Sequence, residues 1–333
     1  VDVHVRNAGL RVRELVEWGI RITDILHTPG HRYPRGLVCS GTEIMRRLRT
    51  QVIRRKIPLA EHIMVTDLLT RDGRVIGAVG LDLLKGEFIA IQAKATIMAT
   101  GGAMAIYPFY TAPEELTGDG RSMSLRAGAE FIDTEMTQFH PCNLLFPPMW
   151  RGIGFPFTIG PAGGLRMHLL NKWGERFMAK WDSERMELNT RDVLSIAIMK
   201  EVLEGRGSPA GGVYMSFNHL PKNLIDHFGE WFGGGYLLHE DWKYEGFDFK
   251  ELVEKMKNGY ALECGPASHF FMGGIRINPD CGTSLPGLYA SGEVAGGLHG
   301  ANRLSGNALT QVFVQGAVGG ESSAAFAGKT DWV

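Results

Sequence analysis

A short apolar run, Gly287–Leu288–Tyr289–Ala290, turns at Ser291–Gly292–Glu293 and reaches the loop His299–Gly300–Ala301–Asn302–Arg303. That loop opens, through Leu304–Ser305–Gly306–Asn307–Ala308–Leu309, into an apolar helical pattern. An arginine held in a Gly/Asn-rich loop directly before a helix sets a permanent cation beside the positive end of the helix. Both attract anions. The spacing alone predicts an anion site on an α/β scaffold.

The rest of the chain repeats this grammar. Residues 7–20 and 41–55 have helical periodicity, with Thr42 as the expected cap of the second and basic residues at its far end. Residues 62–69, 75–82 and 87–93 alternate around Arg71–Asp72–Gly73–Arg74 and Leu84–Lys85–Gly86, which predicts a three-stranded meander. Residues 95–100 form an apolar strand ending in Gly101–Gly102. Thr117–Gly118–Asp119–Gly120 then opens a helix running to residue 128. Prolines and aromatics crowd residues 131–268, and a helix is expected at 191–204, with Asp192 in its first turn and Gly205 at its end. From 269 onward the glycine-rich strand–turn–helix style returns. The 44 glycines follow no collagen period, so they read as tight turns and close backbone approaches.

Composition narrows the functional classes. A net charge of −1 gives no electrostatic case for a nucleic-acid partner. Cys39, Cys142, Cys264 and Cys281 form no C-x-x-C pair, so no metal centre is expected, and the scattered thiols fit a reducing, cytoplasmic setting. Residues 95–113 carry no charge over nearly a membrane span, but Gly101–Gly102 and Pro108 interrupt them, and a buried strand ending in a turn is the better reading.

Several strings, in order, resemble the succinate dehydrogenase/fumarate reductase flavoprotein family, which includes L-aspartate oxidase. They are Ala99–Thr100–Gly101–Gly102, Thr117–Gly118–Asp119–Gly120, Gln138–Phe139–His140–Pro141, Thr190–Arg191–Asp192–Val193, His269–Phe270–Phe271–Met272–Gly273–Gly274–Ile275, Ser291–Gly292–Glu293 and the 299–309 loop. Leu169–Leu170–Asn171–Lys172 with Gly174–Glu175–Arg176–Phe177 resembles a structural hairpin of that family.

The resemblance implies an α/β fold. A Rossmann-like, glutathione-reductase-type FAD-binding domain, incomplete at its N-terminus, would comprise residues 1–139 and 269–333, with an inserted α+β capping domain at 140–268. It places FAD against Ala99, Thr100, Gly101, Gly102, Gly118, Asp119, Gly120, Gly273, Gly274, Gly292, Glu293, Arg303, Ser305, Asn307, Ala308 and Leu309. It assigns substrate carboxylates to Thr158, His140, His269 and Arg303. Hydride transfer between FAD and a C4 dicarboxylate would use Arg191 as proton donor, beside His140, His269 and Arg303. An arginine acid needs a proton relay and a positive local field, because its pKa is normally above about 12. The family also implies an iron–sulfur electron-transfer partner, and membrane association only through other subunits. Two alternatives share the motifs: an L-aspartate oxidase-like enzyme, and a flavin-bearing electron-transfer or scaffold subunit with an altered substrate site.

Two departures stand out. No G-x-G-x-x-G occurs, so the chain is expected to be an internal fragment of a family member, or one completed by another polypeptide. The family's T-E-x-x-R relay is replaced by Thr158–Ile159–Gly160–Pro161–Ala162–Gly163–Gly164–Leu165–Arg166. The threonine is kept and the acid is absent. The basic residue lies eight positions on, after an unusual proline- and tryptophan-bearing segment at 143–157.

Overall fold

The computed structural model describes residues 1–27, 30–148, 151–152, 154, 158–159, 165–226 and 248–333. The expected helices form with shifted ends. The first runs Asp2–Glu17; it begins before the expected residue 7, and it stops short of residue 20 because Gly19 takes φ +90° and ends it. The second, Gly41–Arg54, corrects the expected cap. Ser40 is extended and its hydroxyl accepts from the Glu43 N–H at 3.4 Å, which leaves Thr42 inside the first turn.

The meander is a three-stranded antiparallel sheet of Ile63–Arg71, Arg74–Asp82 and Glu87–Gln92, with the middle strand central. The apolar strand is trimmed to Thr96–Met98 and pairs in parallel with Leu288–Ala290, so the two glycine turns that follow them leave one sheet edge together. Val75, Met98, Met123, Ile275, Leu288, Ala290 and Val294 pack into one core around this pair.

A second core is built from another stretch of chain. The antiparallel order is His168–Leu170, Val213–Ser216, Leu262–Phe271, Thr137–Leu144. Its buried members run from Cys142 to Cys264 and include Leu144, Leu169, Phe177, Leu194, Ile198 and Met215. The helix Arg191–Leu203 lies on this sheet through Leu194, Ala197 and Ile198 and stops before Gly205 at φ +74°. Glu187 is fully buried here. Burial alone would raise its carboxyl, but Arg176 and the Leu169 N–H hold it below the ordinary range. No helix among the described residues is long and apolar enough to cross a membrane.

Candidate active site

Two neighbouring strands bring the histidines together. Thr137–Leu144 and Leu262–Phe271 pair with Ala267 opposite His140, Ser268 opposite Phe139 and Phe270 opposite Gln138. His269 is the extra residue of a bulge between Ser268 and Phe270. Strict alternation would send consecutive side chains to opposite faces; the bulge breaks it, so His269 and Phe270 both reach the site. The rings of His140 and His269 lie 5.4 Å apart.

Each imidazole is tied down at Nδ1. Asn143 donates its Nδ2 to the carbonyls of His140 (2.5 Å) and Gly265 (3.2 Å), which fixes its amide oxygen toward His140 Nδ1 at 3.1 Å. The His140 proton therefore sits on Nδ1, and neutral Nε2 carries a lone pair. His269 Nδ1 lies 2.7 Å from the Thr111 hydroxyl, which can donate or accept. Burial, then Arg191 and Arg303, push the His140 pKa down to about 3 against one bond from Asn143. Burial first, then His140, Arg191 and Arg303, likewise drive His269 well below its usual value.

Arg303 is 6% exposed and stacks on Phe270, its guanidinium carbon 4.6 Å from the ring centroid. Nη1 donates to the Leu304 carbonyl at 3.1 Å, while Nε is buried without a hydrogen-bond acceptor. Burial, then Arg191, lower its pKa to about 9, with Glu293 opposing, so it is still a cation at neutral pH. A buried arginine with an unanswered Nε has one edge prepared for a bidentate anion. His299 serves the loop instead: Nε2 bonds Gln311 Oε1 at 2.7 Å, pinning the loop to the helix Asn307–Gly328.

Arg191 opens the helix Arg191–Leu203 and donates from Nη1 to Gln138 Oε1 at 2.9 Å. The N-terminus of that helix has no side-chain cap, and neither do those of Asp119–Arg126 and Asn307–Gly328. The starts of Arg191–Leu203 and Asn307–Gly328, which follow Thr190 and the arginine loop, add positive dipole ends beside the two guanidiniums.

The glycine turns converge at Glu293. Its Oε1 accepts from the Phe271 N–H at 2.8 Å, and a methyl group added to Gly102 would run into its carboxylate. A methyl on Gly120 would overlap the Thr100 hydroxyl, one on Gly118 would press on Ala103, and one on Gly274 would strike the Val294 carbonyl. Burial raises the Glu293 pKa to about 7, against the Phe271 N–H, Arg121 and Arg303. Arg121 braces this corner, donating to the carbonyls of Gly273 and of Glu293, the latter at 2.9 Å. Gln315 accepts from the Gly292 N–H at 2.8 Å, and Gln311 donates to the Gly292 carbonyl at 3.0 Å.

The structure thus brings His140, His269, Arg191 and Arg303 together, Arg303 buried and the others half-buried, and Thr100, Gly102, Gly118, Gly120, Gly273, Gly274, Gly292 and Glu293 to one adjoining corner. Ala99 and Gly101 belong to the turn after Thr96–Met98, and Gly101 takes φ +76°. Asp119 opens its helix and accepts from the Thr117 hydroxyl. Ser305 precedes, and Asn307, Ala308 and Leu309 begin, the helix that holds Gly292. The Thr158 backbone lies in the strand Thr158–Ile159, opposite Arg166, but its side chain, like that of Arg166 and all of residues 160–164, lies outside the described residues. Thr111, Asn143, Arg121 and Asn302 are contributors that the motif reading missed. Only Asn302 sits within a quoted functional motif; Asn143 acts from a strand, Arg121 from a helix and Thr111 from a bend, with no motif of their own.

A family model described as an FAD binding domain matches residues 3–309. An uncharacterized FAD-dependent oxidoreductase of Methanocaldococcus jannaschii is 39% identical, covering 100% of this chain and 60% of that protein. One of the fumarate reductase (CoM/CoB) subunits of Methanothermobacter marburgensis is 41% identical over 94% of this chain and 56% of its own length. Among solved structures, a quinol-fumarate reductase with menaquinol molecules superposes with a TM-score of 0.82 at 29% identity, covering 98% of this chain and 58% of that one. The chain spans 60% or less of the length of each of these three relatives.

Proposed function

The chain belongs to the FAD binding domain family, with the fumarate reductase and succinate dehydrogenase flavoproteins, and from that membership we propose that the complete protein is an FAD-dependent oxidoreductase interconverting a C4 dicarboxylate pair of the succinate/fumarate type. The observation that carries the proposal is Arg303, buried on Phe270 with its Nε unanswered and facing a site that already holds Arg191, His140 and His269.

The residues present fit the cofactor. The turns at Gly102, Gly118 and Gly120 have no room for a Cβ, and the helix starting at Asn307 has no cap. Ala99, Thr100, Gly101, Gly102, Gly118, Asp119, Gly120, Gly273, Gly274, Gly292, Glu293, Arg303, Ser305, Asn307, Ala308 and Leu309 are the residues assigned to hold it. Bound FAD supplies two-electron redox chemistry. The chain's own residues do the rest. Arg303 takes one carboxylate edge-on, while His140, His269 and Thr158 hold the other contacts. Fixing both carboxylates orients the central carbons and sets positive charge where the skeleton becomes electron-rich. Arg191 handles the proton at the adjacent carbon. No acid follows Thr158 to recharge it through the family relay, so its proton must come by another route.

Residues 140–268 are proposed as a capping domain inserted between 1–139 and 269–333. The larger core, confined to residues 142–264, supports that division. An iron–sulfur protein as electron partner, a cytoplasmic setting and membrane docking only through other subunits are part of the same proposal, supported by relatives that are themselves named as subunits.

The test uses the complete protein with its partners. Arg303→Ala should abolish succinate and fumarate turnover while the protein stays yellow. Unchanged kinetics refute the assignment. Failure of every C4 dicarboxylate to bleach the wild-type flavin would favour the electron-transfer or scaffold reading.

A further inference from the structure

Four side chains close a ring between the arginine loop and the start of the helix Arg191–Leu203. Arg191 Nη1 donates to Gln138 Oε1 at 2.9 Å. Gln138 Nε2 donates to Asn302 Oδ1 at 2.6 Å and to the Arg303 carbonyl at 2.8 Å. Asn302 Nδ2 donates to Asp192 Oδ1 at 2.8 Å. Asp192 is the covalent neighbour of Arg191, so the ring closes on itself.

The ring has one polarity. It runs from a guanidinium, which only donates, to a carboxylate, which only accepts. Turning the Gln138 amide would aim its NH2 at the guanidinium and its oxygen at two acceptors. Turning the Asn302 amide would aim its oxygen at the Asp192 carboxylate. Each charged end strengthens the bond beside it, and the intervening amides are polarised in the same sense.

The ring also joins two separately packed bodies. The helix contributes Leu194, Ala197 and Ile198 to the larger core, while the arginine loop follows Val294 and Ala295 of the other. The outer bond, Asn302 to Asp192, is exposed to solvent, whereas Gln138 at the inner end is 4% exposed.

We propose that Gln138 and Asn302 are positioning residues that lock the arginine loop to the helix bearing Arg191, setting both guanidiniums of the site relative to each other. Gln138 is the pivot, because one amide holds the Arg191 side chain and the Arg303 main chain. The kinetic consequence rests on the dicarboxylate reading; the geometric one does not.

The experiment exchanges the outer pair in the complete, flavin-loaded protein. Asn302→Asp sets two carboxylates face to face. It should accelerate hydrogen exchange at the 299–304 amides and lower kcat/KM about tenfold through kcat, with flavin retained. Adding Asp192→Asn reverses donor and acceptor across the same gap and should restore both readouts. If Asn302→Asp fails to fold, Asp192→Asn alone, which weakens the bond without repulsion, should speed loop exchange about threefold. Wild-type exchange in the variants, or an exchanged pair no better than Asn302→Asp alone, overturns the ring. Exchange needs no substrate, so a wild-type protein inactive on dicarboxylates would sink the functional reading and leave this test intact.

Discussion

Dicarboxylate binding should take up one proton, and His140 should be the group that takes it. Asn143 fixes the ring proton on Nδ1, so a neutral His140 presents a lone pair to a carboxylate, and only the protonated ring can donate from Nε2. His269 is under no such constraint, because the Thr111 hydroxyl can donate to its Nδ1 and leave Nε2–H for the ligand. With its pKa held at about 3, protonating His140 at pH 7 costs about 5 kcal/mol. The carboxylate it contacts, about 4 Å away, and the one Arg303 holds, about 7 Å away, would together return roughly 6–7 kcal/mol at an effective dielectric near 20. That lifts the bound pKa to about 8. Between pH 5 and 7, where the free ring is neutral and the bound ring is charged, Kd should rise about tenfold per pH unit, or about 2.7 kcal/mol over the interval. Titrating malonate against the flavin-loaded protein, followed by flavin absorbance, reads the slope. Calorimetry in buffers of different ionisation enthalpy counts the proton. His140→Gln, whose amide donates at any pH, should flatten the slope. A flat wild-type profile with no proton taken up refutes the reasoning.

Two further perturbations test the frame. Gly102→Ala should weaken flavin retention at least tenfold, because its methyl must displace the Glu293 carboxylate, as read by flavin content after dialysis; wild-type retention would refute the close approach. Arg176→Met should destabilise by about 3 kcal/mol, a fall of roughly 5–10 °C in Tm, by stranding the fully buried Glu187 carboxylate. The Glu187 pKa is held below its unfolded value by these bonds. The stability they contribute is therefore present above about pH 4.5 and lost as pH falls, so the gap between wild type and variant should narrow in acid.

Where local rules decide a feature, the sequence was readable. The meander is marked by its glycine turns, the 191 helix by its apolar spacing and Gly205, and the glycine corner by turns that need close approach. The site histidines were readable only through motif strings, because their meeting depends on a register shift at His269 that no spacing rule announces. The helix cap was misread at Thr42 because serine and threonine two residues apart are equivalent in pattern; only the extended backbone of Ser40 separates them. Asn143 and Thr111 escaped notice for a related reason. Their importance lies in which ring nitrogen they touch, and that is set by strand pairing rather than by their neighbours in the chain.

The parallel pairing of Thr96 with Leu288 also sets a schedule for synthesis. The glycine turn after Met98 is made early, yet the strand that completes its sheet edge emerges nearly two hundred residues later, roughly 10–40 s at ordinary translation rates. The core spanning residues 142–264 is complete on the growing chain before that partner exists. The nascent protein therefore carries an unfinished sheet edge beside a finished neighbour, and this interval is its period of greatest exposure to mispairing.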